Sequence, residues 1–201
     1  MLWSILICGL PERYHTAQPL LYSLLELQSV ARRPDIELLY LLDNRRRTVG
    51  AKRNALLDAA RGEYVSFIDD DDEVAPTYVE KIHGAIVKAR RTEPPTDVIC
   101  FSQRATLSPH GIIHECTYSL AYKTRSLAPG PNPTTLLWTG PPAHTMVWRR
   151  AVIADIRFPE QQFGEDVAWV DAVCERAKTE ARIEGEPLYT YKFSEEGTAT
   201  R

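Results

Sequence analysis

The sequence predicts an α/β domain whose mostly parallel central sheet is covered by helices on both faces. Short apolar runs at residues 4–8, 36–42, 64–68 and 97–101 alternate with segments of helical periodicity. Continuously apolar strands are typical of parallel sheets, because helices bury both of their faces. In such sheets ligands bind at the carboxyl ends of the strands, so the polar residues that follow these runs are the first candidates for a site.

The predicted helices of this first half occupy residues 16–29, 49–61 and 76–91. The first repeats leucine at intervals of four residues, which places these side chains on one helix face. The second ends before Gly62, and the third opens with Pro76, at a position where a helix tolerates proline. Each helix therefore joins two successive strands of the predicted sheet.

The second half of the chain predicts less regular structure. Five prolines and two glycines lie between Lys123 and His144, which favours a long surface loop. The remaining predicted elements are a strand at 145–148, helices at 149–154 and 166–178, and closing strands around Ile183 and at 188–193.

Length and composition fit one globular domain, residues 1–201. The chain is 44% hydrophobic and 25% charged, which excludes wholesale disorder, and its net charge of -3 argues against a uniformly basic nucleic-acid coat. It contains no run of about 20 apolar residues that could span a membrane. The first apolar run lacks a basic start and breaks at Gly9, so it predicts a buried strand rather than a signal peptide. Four cysteines without CxxC spacing predict reduced thiols in a cytoplasmic protein.

Four consecutive aspartates, Asp69 to Asp72, follow the third apolar run directly. Carboxylates packed this closely repel one another unless a cation or solvent screens them. Mg²⁺ and Mn²⁺ prefer oxygen ligands and are commonly held by one or two carboxylates plus substrate phosphates. The cluster therefore predicts either a divalent metal site for a nucleoside diphosphate or a solvated acidic turn before the helix that begins near Pro76.

Basic residues follow the second predicted strand. The segment from Asp43 and Asn44 leads through three arginines to Gly50, and Lys52 and Arg53 open the next helix. A helix N-terminus that carries Lys and Arg attracts phosphate through its backbone N–H groups, its dipole and the side-chain charges. A solvated basic face is the alternative. One strand away from the aspartates, the segment predicts a pyrophosphate site.

The motifs in this half resemble those of inverting GT-A glycosyltransferases of the family 2 type. Gly50-Ala-Lys-Arg-Asn54 is followed by Gly62-Glu-Tyr-Val-Ser-Phe-Ile-Asp69-Asp-Asp-Asp72, and Phe163-Gly-Glu-Asp-Val167 is similar to the G-E-D motif of that family. The set runs in the family's order from Ser4 to about Phe193. The resemblance implies the GT-A (nucleotide-diphospho-sugar transferase) fold, with residues 1–101 binding the nucleotide sugar and residues 102–201 on the acceptor side.

The resemblance also implies roles on the donor side, with a UDP-sugar as the expected donor. Asp43 would contact the base with Asn44 beside it, Arg53 would lie near the base or the diphosphate, and Asp69 would contact the ribose. Asp71 would be the direct ligand of Mn²⁺ or Mg²⁺. The other expected contacts to the nucleotide sugar are Pro11, Arg13, Lys52 and Asp70.

Catalysis would rest on Asp166. An inverting transfer needs a general base that takes the proton of the acceptor hydroxyl, and the resemblance gives this role to Asp166 with support from Glu165. The alternative is a plain pair of acids at a helix N-terminus. Two features depart from the family: its usual first loop is replaced by residues 8–13, and no histidine follows Tyr189 to complete a metal site. Water or His144 would then supply the missing ligand of the metal ion.

The acceptor is predicted from a narrower similarity. The chain resembles a compact subgroup, found in phage, in which some members glycosylate hydroxymethylated pyrimidines in DNA, and hydroxymethylated DNA in a host cytoplasm is the acceptor this implies. Trp138 and Trp148 could stack on a base or a sugar, or could simply pack in the core. A polysaccharide or small-molecule acceptor, a nucleotidyltransferase and a non-catalytic binding module are the alternatives, and the donor sugar and oligomeric state stay open.

Overall fold

The computed structural model describes residues 1–107 and 111–193. Its strands are β1 (Trp3–Gly9), β2 (Ile36–Leu42), β3 (Tyr64–Asp69), β4 (Glu73–Val74), β5 (Val98–Phe101), β6 (Gln103–Leu107), β7 (Ile112–Tyr118), β8 (Ser126–Pro129), β9 (Thr135–Gly140), β10 (Val147–Arg149), β11 (Glu180–Ile183) and β12 (Tyr189–Phe193). Its α-helices are α1 (Tyr14–Tyr22), α2 (Val49–Ala59), α3 (Tyr78–Ala89), α4 (Arg150–Ile153) and α5 (Glu165–Arg176). Shorter 3₁₀ and π turns lie at Pro11–Arg13, Ser23–Leu27 and Val30–Arg32.

The first sheet has the order β11-β5-β10-β3-β1-β2. Strand β1 runs parallel to both β2 and β3, whereas β10 is antiparallel to its neighbours β3 and β5. Gly9 pairs with Leu42, and Cys8 pairs with Asp69, so the carboxyl ends of the three parallel strands lie level with one another. This confirms the predicted α/β architecture and brings the polar segments after these strands to one edge.

A second sheet, of order β4-β12-β6-β7-β9-β8, is built mainly from the second half of the chain. The prediction of a long loop between Lys123 and His144 was wrong, because β8 and β9 lie within it and pair as an antiparallel hairpin. Prolines are compatible with this arrangement because β8 is an edge strand and ends at Pro129. Proline has no backbone N–H, and at the edge of a sheet this N–H is not needed to pair with a further strand. Strands β6 and β7 were not predicted.

The core lies between the first sheet and its helices. Trp3, Tyr64, Phe67 and Tyr78 are fully or almost fully buried within it. Burial of large aromatic side chains contributes roughly 1.5–3 kcal/mol each, so this core holds the parallel strands in place. Among the helices of the described ranges, none is both long enough and apolar enough to cross a bilayer.

Asp97 joins three elements of the first sheet and is a stability determinant. Its carboxylate accepts hydrogen bonds from the guanidinium of Arg149, at 2.6 Å, and from the backbone N–H groups of Lys178 and Thr179, at 2.8 and 3.2 Å. Burial alone would raise the pKa of Asp97, but these hydrogen bonds outweigh it and hold the pKa below its ordinary value. The ionised form is therefore the one that stabilises the fold.

Replacing this carboxylate, Asp97→Asn, is expected to lower the free energy of unfolding by about 3 kcal/mol, because Arg149 loses its buried partner. For a chain of this size that corresponds to a fall in melting temperature of roughly 6–12 °C at pH 7. Because folding lowers the pKa of Asp97, the ionised carboxylate stabilises the folded state at pH values above the pKa of this group in the unfolded chain. This stabilisation is lost as the pH falls through the pKa of Asp97 in the folded protein. The gap between wild type and variant should therefore narrow below about pH 4, as measured by circular dichroism. A gap that stays constant with pH would contradict the assignment.

Candidate active site

A cavity of about 510 Å³ lies at the carboxyl ends of β1 and β3, between the first sheet, helix α5 and the second sheet. Of the residues predicted from the sequence, it is lined by Arg13, Lys52, Arg53, Asp69, Asp70, Asp71, Trp138, His144, Glu165 and Asp166. The cavity thus brings together residues that lie more than 120 positions apart in the sequence, such as Arg13 and Asp166. Pro11, Asp43, Asn44 and Trp148 are not among the residues that line it.

Arg53 lies at the centre of this arrangement and is almost fully buried. One nitrogen of its guanidinium, Nη2, lies 3.0 Å from Asp69 Oδ1, and the other, Nη1, lies 2.7 Å from Glu165 Oε1. The guanidinium also sits over the rings of Phe67 and Phe158, 5.8 and 5.5 Å from their centroids. Arg53 therefore ties the tip of β3 to the first residue of α5.

Burial and these ion pairs act against each other on the pKa of the two carboxyl groups. Burial alone would raise the pKa of Asp69, but the charge of Arg53 and the contact with His144 outweigh it and hold the pKa well below its usual range. For Glu165 burial prevails over the Arg53 charge, so its pKa is raised. Because the Glu165 side chain is buried and paired with Arg53, it holds α5 in place and is not a free base, although it lies at the cavity.

Gly50 and Asn54 explain the rest of the motif around Arg53. Asn54 accepts a hydrogen bond from the backbone N–H of Phe158 and donates one to its carbonyl, both at 2.9 Å. A Cβ at Gly50 would lie 1.9 Å from the carbonyl oxygen of Pro159. One turn of α2 therefore clamps the loop that leads to Glu165. Gly164 ends this loop with a φ of 71°, a conformation that glycine adopts without strain.

This clamp predicts opposite effects for two alanine substitutions. Gly50→Ala should lower the free energy of unfolding by about 2 kcal/mol, because the new methyl group overlaps the Pro159 backbone. Gly84→Ala is the matched control. Gly84 is exposed in the interior of α3, and nothing lies within 4 Å of a Cβ built there, so alanine should stabilise by roughly 0.5–1 kcal/mol. Thermal unfolding of both variants tests this; equal effects would mean that Gly50 makes no close contact.

The remaining aspartates at the tip of β3 have two different surroundings. Arg13 Nη2 lies 3.1 Å from Asp70 Oδ1 and 2.6 Å from Asp71 Oδ2. Burial raises the pKa of Asp70 to about 6 and also raises that of Asp71. Asp72 turns away from Arg13: it accepts hydrogen bonds from the Tyr189 hydroxyl, at 2.5 Å, and from the Lys192 backbone, at 2.8 Å. Burial, followed by the charge of Asp69, raises the pKa of Asp72 to about 8.

The aspartates at this tip can supply one or two of the ligands of a metal ion, with the remaining ligands coming from elsewhere. Residues 1–107 and 111–193 contain no cluster of three or more His, Cys, Asp or Glu side chains arranged to hold an ion. Asp71 lines the cavity with 24% of its side chain exposed, and Asp70 Oδ2 is buried without a hydrogen-bond partner. Since Mg²⁺ is usually held by one or two carboxylates plus substrate phosphates, this pair fits such an ion once a diphosphate supplies further oxygens.

Asp166 has the exposure expected of a group that meets a substrate. Its side chain is 38% exposed, lines the cavity from the first turn of α5 and has its Oδ2 3.6 Å from His144 Nδ1. The other ring nitrogen of His144, Nε2, lies 3.5 Å from Asp69 Oδ2. His144 thus stands between the carboxylate at the tip of β3 and the carboxylate of α5.

Trp148 requires a correction. The sequence suggested that it could stack on a base or a sugar, or pack in the core, and its side chain is fully buried, 5.8 Å from the ring of Trp169. Its indole N–H donates to the carbonyl of Ala143, at 3.1 Å, so it fixes the turn that carries His144. The β-strand position of Trp148, between two sheet neighbours, is the physical reason for its burial. Core packing, the alternative, is the correct interpretation.

Of the remaining residues predicted to contact the nucleotide sugar, Lys52 lines the cavity, whereas Pro11, Asp43 and Asn44 are not part of its lining. Lys52 Nζ lies 3.4 Å from both the Gly9 carbonyl and Asp43 Oδ1, which joins the ends of β1 and β2. Asp43 also accepts from the backbone N–H of Arg47, at 2.9 Å. Asn44 and Pro11 are exposed. Their contacts to a nucleotide stay predictions.

The second sheet supplies cavity residues that the sequence analysis missed. Tyr118, Gln103 and Tyr191 line the cavity beside Trp138, whose ring centroid lies 4.9 Å from that of Tyr118. The Tyr118 hydroxyl donates to Gln103, at 2.9 Å, and Gln103 donates to Thr145, at 2.5 Å. For Tyr191, the sequence contained a signal: Tyr189 and Tyr191 alternate in the closing strand, and every second residue of a strand faces the same side.

Comparison with known proteins agrees with this architecture. The sequence model described as glycosyl transferase family 2 matches residues 23–135, more than half of the chain. No curated protein matches it as a relative. Among solved structures, S. aureus TarS 1-349 in complex with UDP-GlcNAc is similar with a TM-score of 0.66 and 18% identity, over 100% of this chain and 60% of that one.

Two further structures of the same protein show the same fold. TarS 1-349 alone matches with a TM-score of 0.63 and 19% identity over 96% of this chain, and S. aureus TarS with a TM-score of 0.61 and 17% identity over 96%. This chain spans 60% of the former and 37% of the latter. The match of the family over residues 23–135 and the shared fold confirm what the motifs predicted: the chain belongs to glycosyl transferase family 2 and has the GT-A fold.

Proposed function

We propose that this chain transfers a sugar from a nucleoside diphosphate sugar to an acceptor hydroxyl, with inversion at the anomeric carbon. One observation carries the proposal: a single cavity is faced by acidic side chains at the tip of β3 and by a separate, half-exposed carboxylate, Asp166, on α5. The first group suits a metal-bound diphosphate, and the second suits an acceptor hydroxyl. The two groups on one cavity favour glycosyl transfer over the alternatives, a nucleotidyltransferase and a non-catalytic binding module.

The donor we propose is a UDP-sugar. The cavity opens at the carboxyl ends of parallel strands, where nucleotides bind in α/β sheets, and Arg13 and Lys52 bring positive charge to it. The similar TarS 1-349 was solved in complex with UDP-GlcNAc, and that structure matches this chain along its whole length. Asp43 and Asp69 stay the proposed contacts to base and ribose.

In the proposed step, Asp166 removes the proton of the acceptor hydroxyl while that oxygen forms a bond to the anomeric carbon. The bond between this carbon and the diphosphate oxygen breaks on the opposite face, and the nucleoside diphosphate leaves with the electron pair. Mn²⁺ or Mg²⁺ held by Asp71 would supply positive charge to the leaving diphosphate. Glu165 and Arg53 keep α5, and with it Asp166, at a fixed distance from the tip of β3.

As acceptor we propose 5-hydroxymethylcytosine in DNA. Trp138, packed on Tyr118, gives the cavity an aromatic wall on which a base can stack, and Arg104 and Arg125 also line the cavity. Arginines close to a bound base attract the phosphates that flank it. A sugar ring of a polysaccharide or a small molecule could stack on the same aromatic surface, so these acceptors are the alternatives.

Mass spectrometry of a donor and acceptor panel tests both levels of the proposal. The purified chain with Mn²⁺ and a set of UDP-sugars is offered hydroxymethylated duplex DNA, the same duplex without the modification, and oligosaccharides. We expect a mass increase of one sugar on the hydroxymethylated duplex alone, and its loss in Asp71→Ala. Transfer to an oligosaccharide instead would overturn the DNA acceptor, and the absence of transfer from every donor would overturn the glycosyltransferase assignment.

A further inference from the structure

Beside Asp70 and Asp71 the structure itself provides a cation, Arg13. It ends the 3₁₀ turn Pro11–Arg13 after β1, and its backbone N–H donates to the carbonyl of Leu10, at 2.9 Å, which fixes where the side chain starts. From there Nη2 reaches Asp71 Oδ2, at 2.6 Å, and Asp70 Oδ1, at 3.1 Å. Arg13 therefore already occupies one carboxylate oxygen of Asp71, the residue proposed to hold the metal ion.

The other two aspartates of the cluster have different partners. Asp69 is paired with Arg53 and His144, and Asp72 is hydrogen-bonded to Tyr189 and Lys192. In the part of the chain that the structure describes, Arg13 is the basic side chain in ion-pair contact with Asp70 and Asp71. Neutralisation of this pair in the donor-free protein thus depends on one arginine.

Arg13 is within ion-pair distance of both carboxylates, but its contact geometry is poor. A single nitrogen of Arg13 serves both carboxylates, and neither this nitrogen nor Asp70 Oδ2 has a hydrogen bond of good geometry. Arginine binds a carboxylate most tightly through two parallel N–H···O bonds, and that arrangement is missing here. The guanidinium, 16% exposed at the edge of the cavity, can leave at moderate cost.

We propose that Arg13 is a built-in counter-ion that competes with the divalent cation for Asp71 and moves to the donor diphosphate when the cation binds. The proposal rests on the proposed function, since the diphosphate is its second partner. Two cations cannot share one exposed carboxylate oxygen without repulsion, so metal binding at Asp71 displaces the guanidinium. The displaced Arg13 guanidinium then binds the neighbouring diphosphate, whose oxygens carry more negative charge than the Asp71 carboxylate that it has left.

The consequence is a pair of opposite effects that a merely structural arginine would not produce. In Arg13→Met, which keeps the apolar stem, Mn²⁺ should bind about ten-fold more tightly in the absence of nucleotide, because its competitor is gone. In the presence of saturating Mn²⁺, UDP should bind about ten-fold more weakly, because the diphosphate has lost a charged partner. Arg13→Lys keeps the charge and should lie between wild type and Arg13→Met in both measurements.

The experiment measures free Mn²⁺ by electron paramagnetic resonance and UDP binding by calorimetry, with thermal unfolding to verify that each variant is folded. Arg90→Met is the matched control: Arg90 pairs with Glu63, 3.0 Å away, is not among the residues that line the cavity and is in ion-pair contact with neither aspartate. We expect it to behave as wild type. Unchanged or weaker Mn²⁺ binding in Arg13→Met overturns the counter-ion and leaves the proposed function standing. If wild type binds no Mn²⁺ even with UDP, the metal dependence of the proposed function fails and this proposal fails with it.

Discussion

Asp166→Asn is expected to lose sugar transfer while it keeps the fold and the donor. A general base contributes about 10²–10⁴-fold to a rate, and an amide cannot take a proton from the acceptor hydroxyl. The substitution preserves the shape of the side chain beside His144, so the cavity should keep its form. Turnover should fall by this factor, whereas Mn²⁺-dependent UDP binding, measured by calorimetry, should stay unchanged.

Glu175→Gln is the matched control for this prediction, since Glu175 is an exposed acid on the same helix. It should retain wild-type turnover. If Asp166→Asn stays within a factor of about ten of wild type, the cavity carboxylate is not the base. Glu165 would not replace it, because its carboxylate is committed to Arg53 at 2.7 Å.

Local sequence patterns accounted for the first half of the fold. The strand predicted at residues 36–42 has those bounds, and the strand predicted at 64–68 is longer by one residue, Asp69. Both runs are mostly apolar, and β3 is buried along its length except at Asp69, so the hydrophobic pattern alone located them. The helices differ from prediction mainly at their ends, where the pattern carries least information.

The second sheet was harder to predict because its strands are only half-buried. Strand β8 is exposed along its whole length, and β7 and β9 have only two buried residues each. Their pairing joins segments whose individual preferences are weak, and the prolines around them favour loops. Local pattern therefore could not recover pairs such as Cys116 with Trp138, which set the aromatic wall of the cavity.

The candidate site divides in the same way. The motifs placed Asp69 to Asp72 at the tip of a strand and Glu165 at the start of a helix, and the structure has both there. The sequence could not show that Arg53 joins them, since Arg53 and Glu165 are 112 positions apart. Nor could it show that Arg13 reaches Asp71 across the end of the sheet. Both contacts arise from the level carboxyl ends of β1 and β3, a property of the assembled sheet.

Removing the central arginine should have the largest effect on stability. Arg53→Met leaves the buried carboxylates of Asp69 and Glu165 without their common partner, and breaking a buried ion pair in this way costs about 3–5 kcal/mol. For a chain of this size the melting temperature should fall by roughly 6–20 °C. Arg53→Lys should recover only part of this loss, because one ammonium group cannot bridge two carboxylates and lacks the planar face that lies over Phe67.

A second substitution separates the charge effect from lost packing. Adding Glu165→Gln to Arg53→Met removes one of the two stranded charges, so the double variant should be more stable than the single one. If the double variant is instead less stable, the guanidinium acts through packing on Phe67 and Phe158 rather than through charge. Arg157→Met, at an exposed ion pair with Asp58, should change the free energy of unfolding by about 1 kcal/mol or less. The contrast between these arginines follows from burial, because water screens the exposed pair of Arg157 and Asp58, whereas Arg53 is the buried cation that Asp69 and Glu165 share.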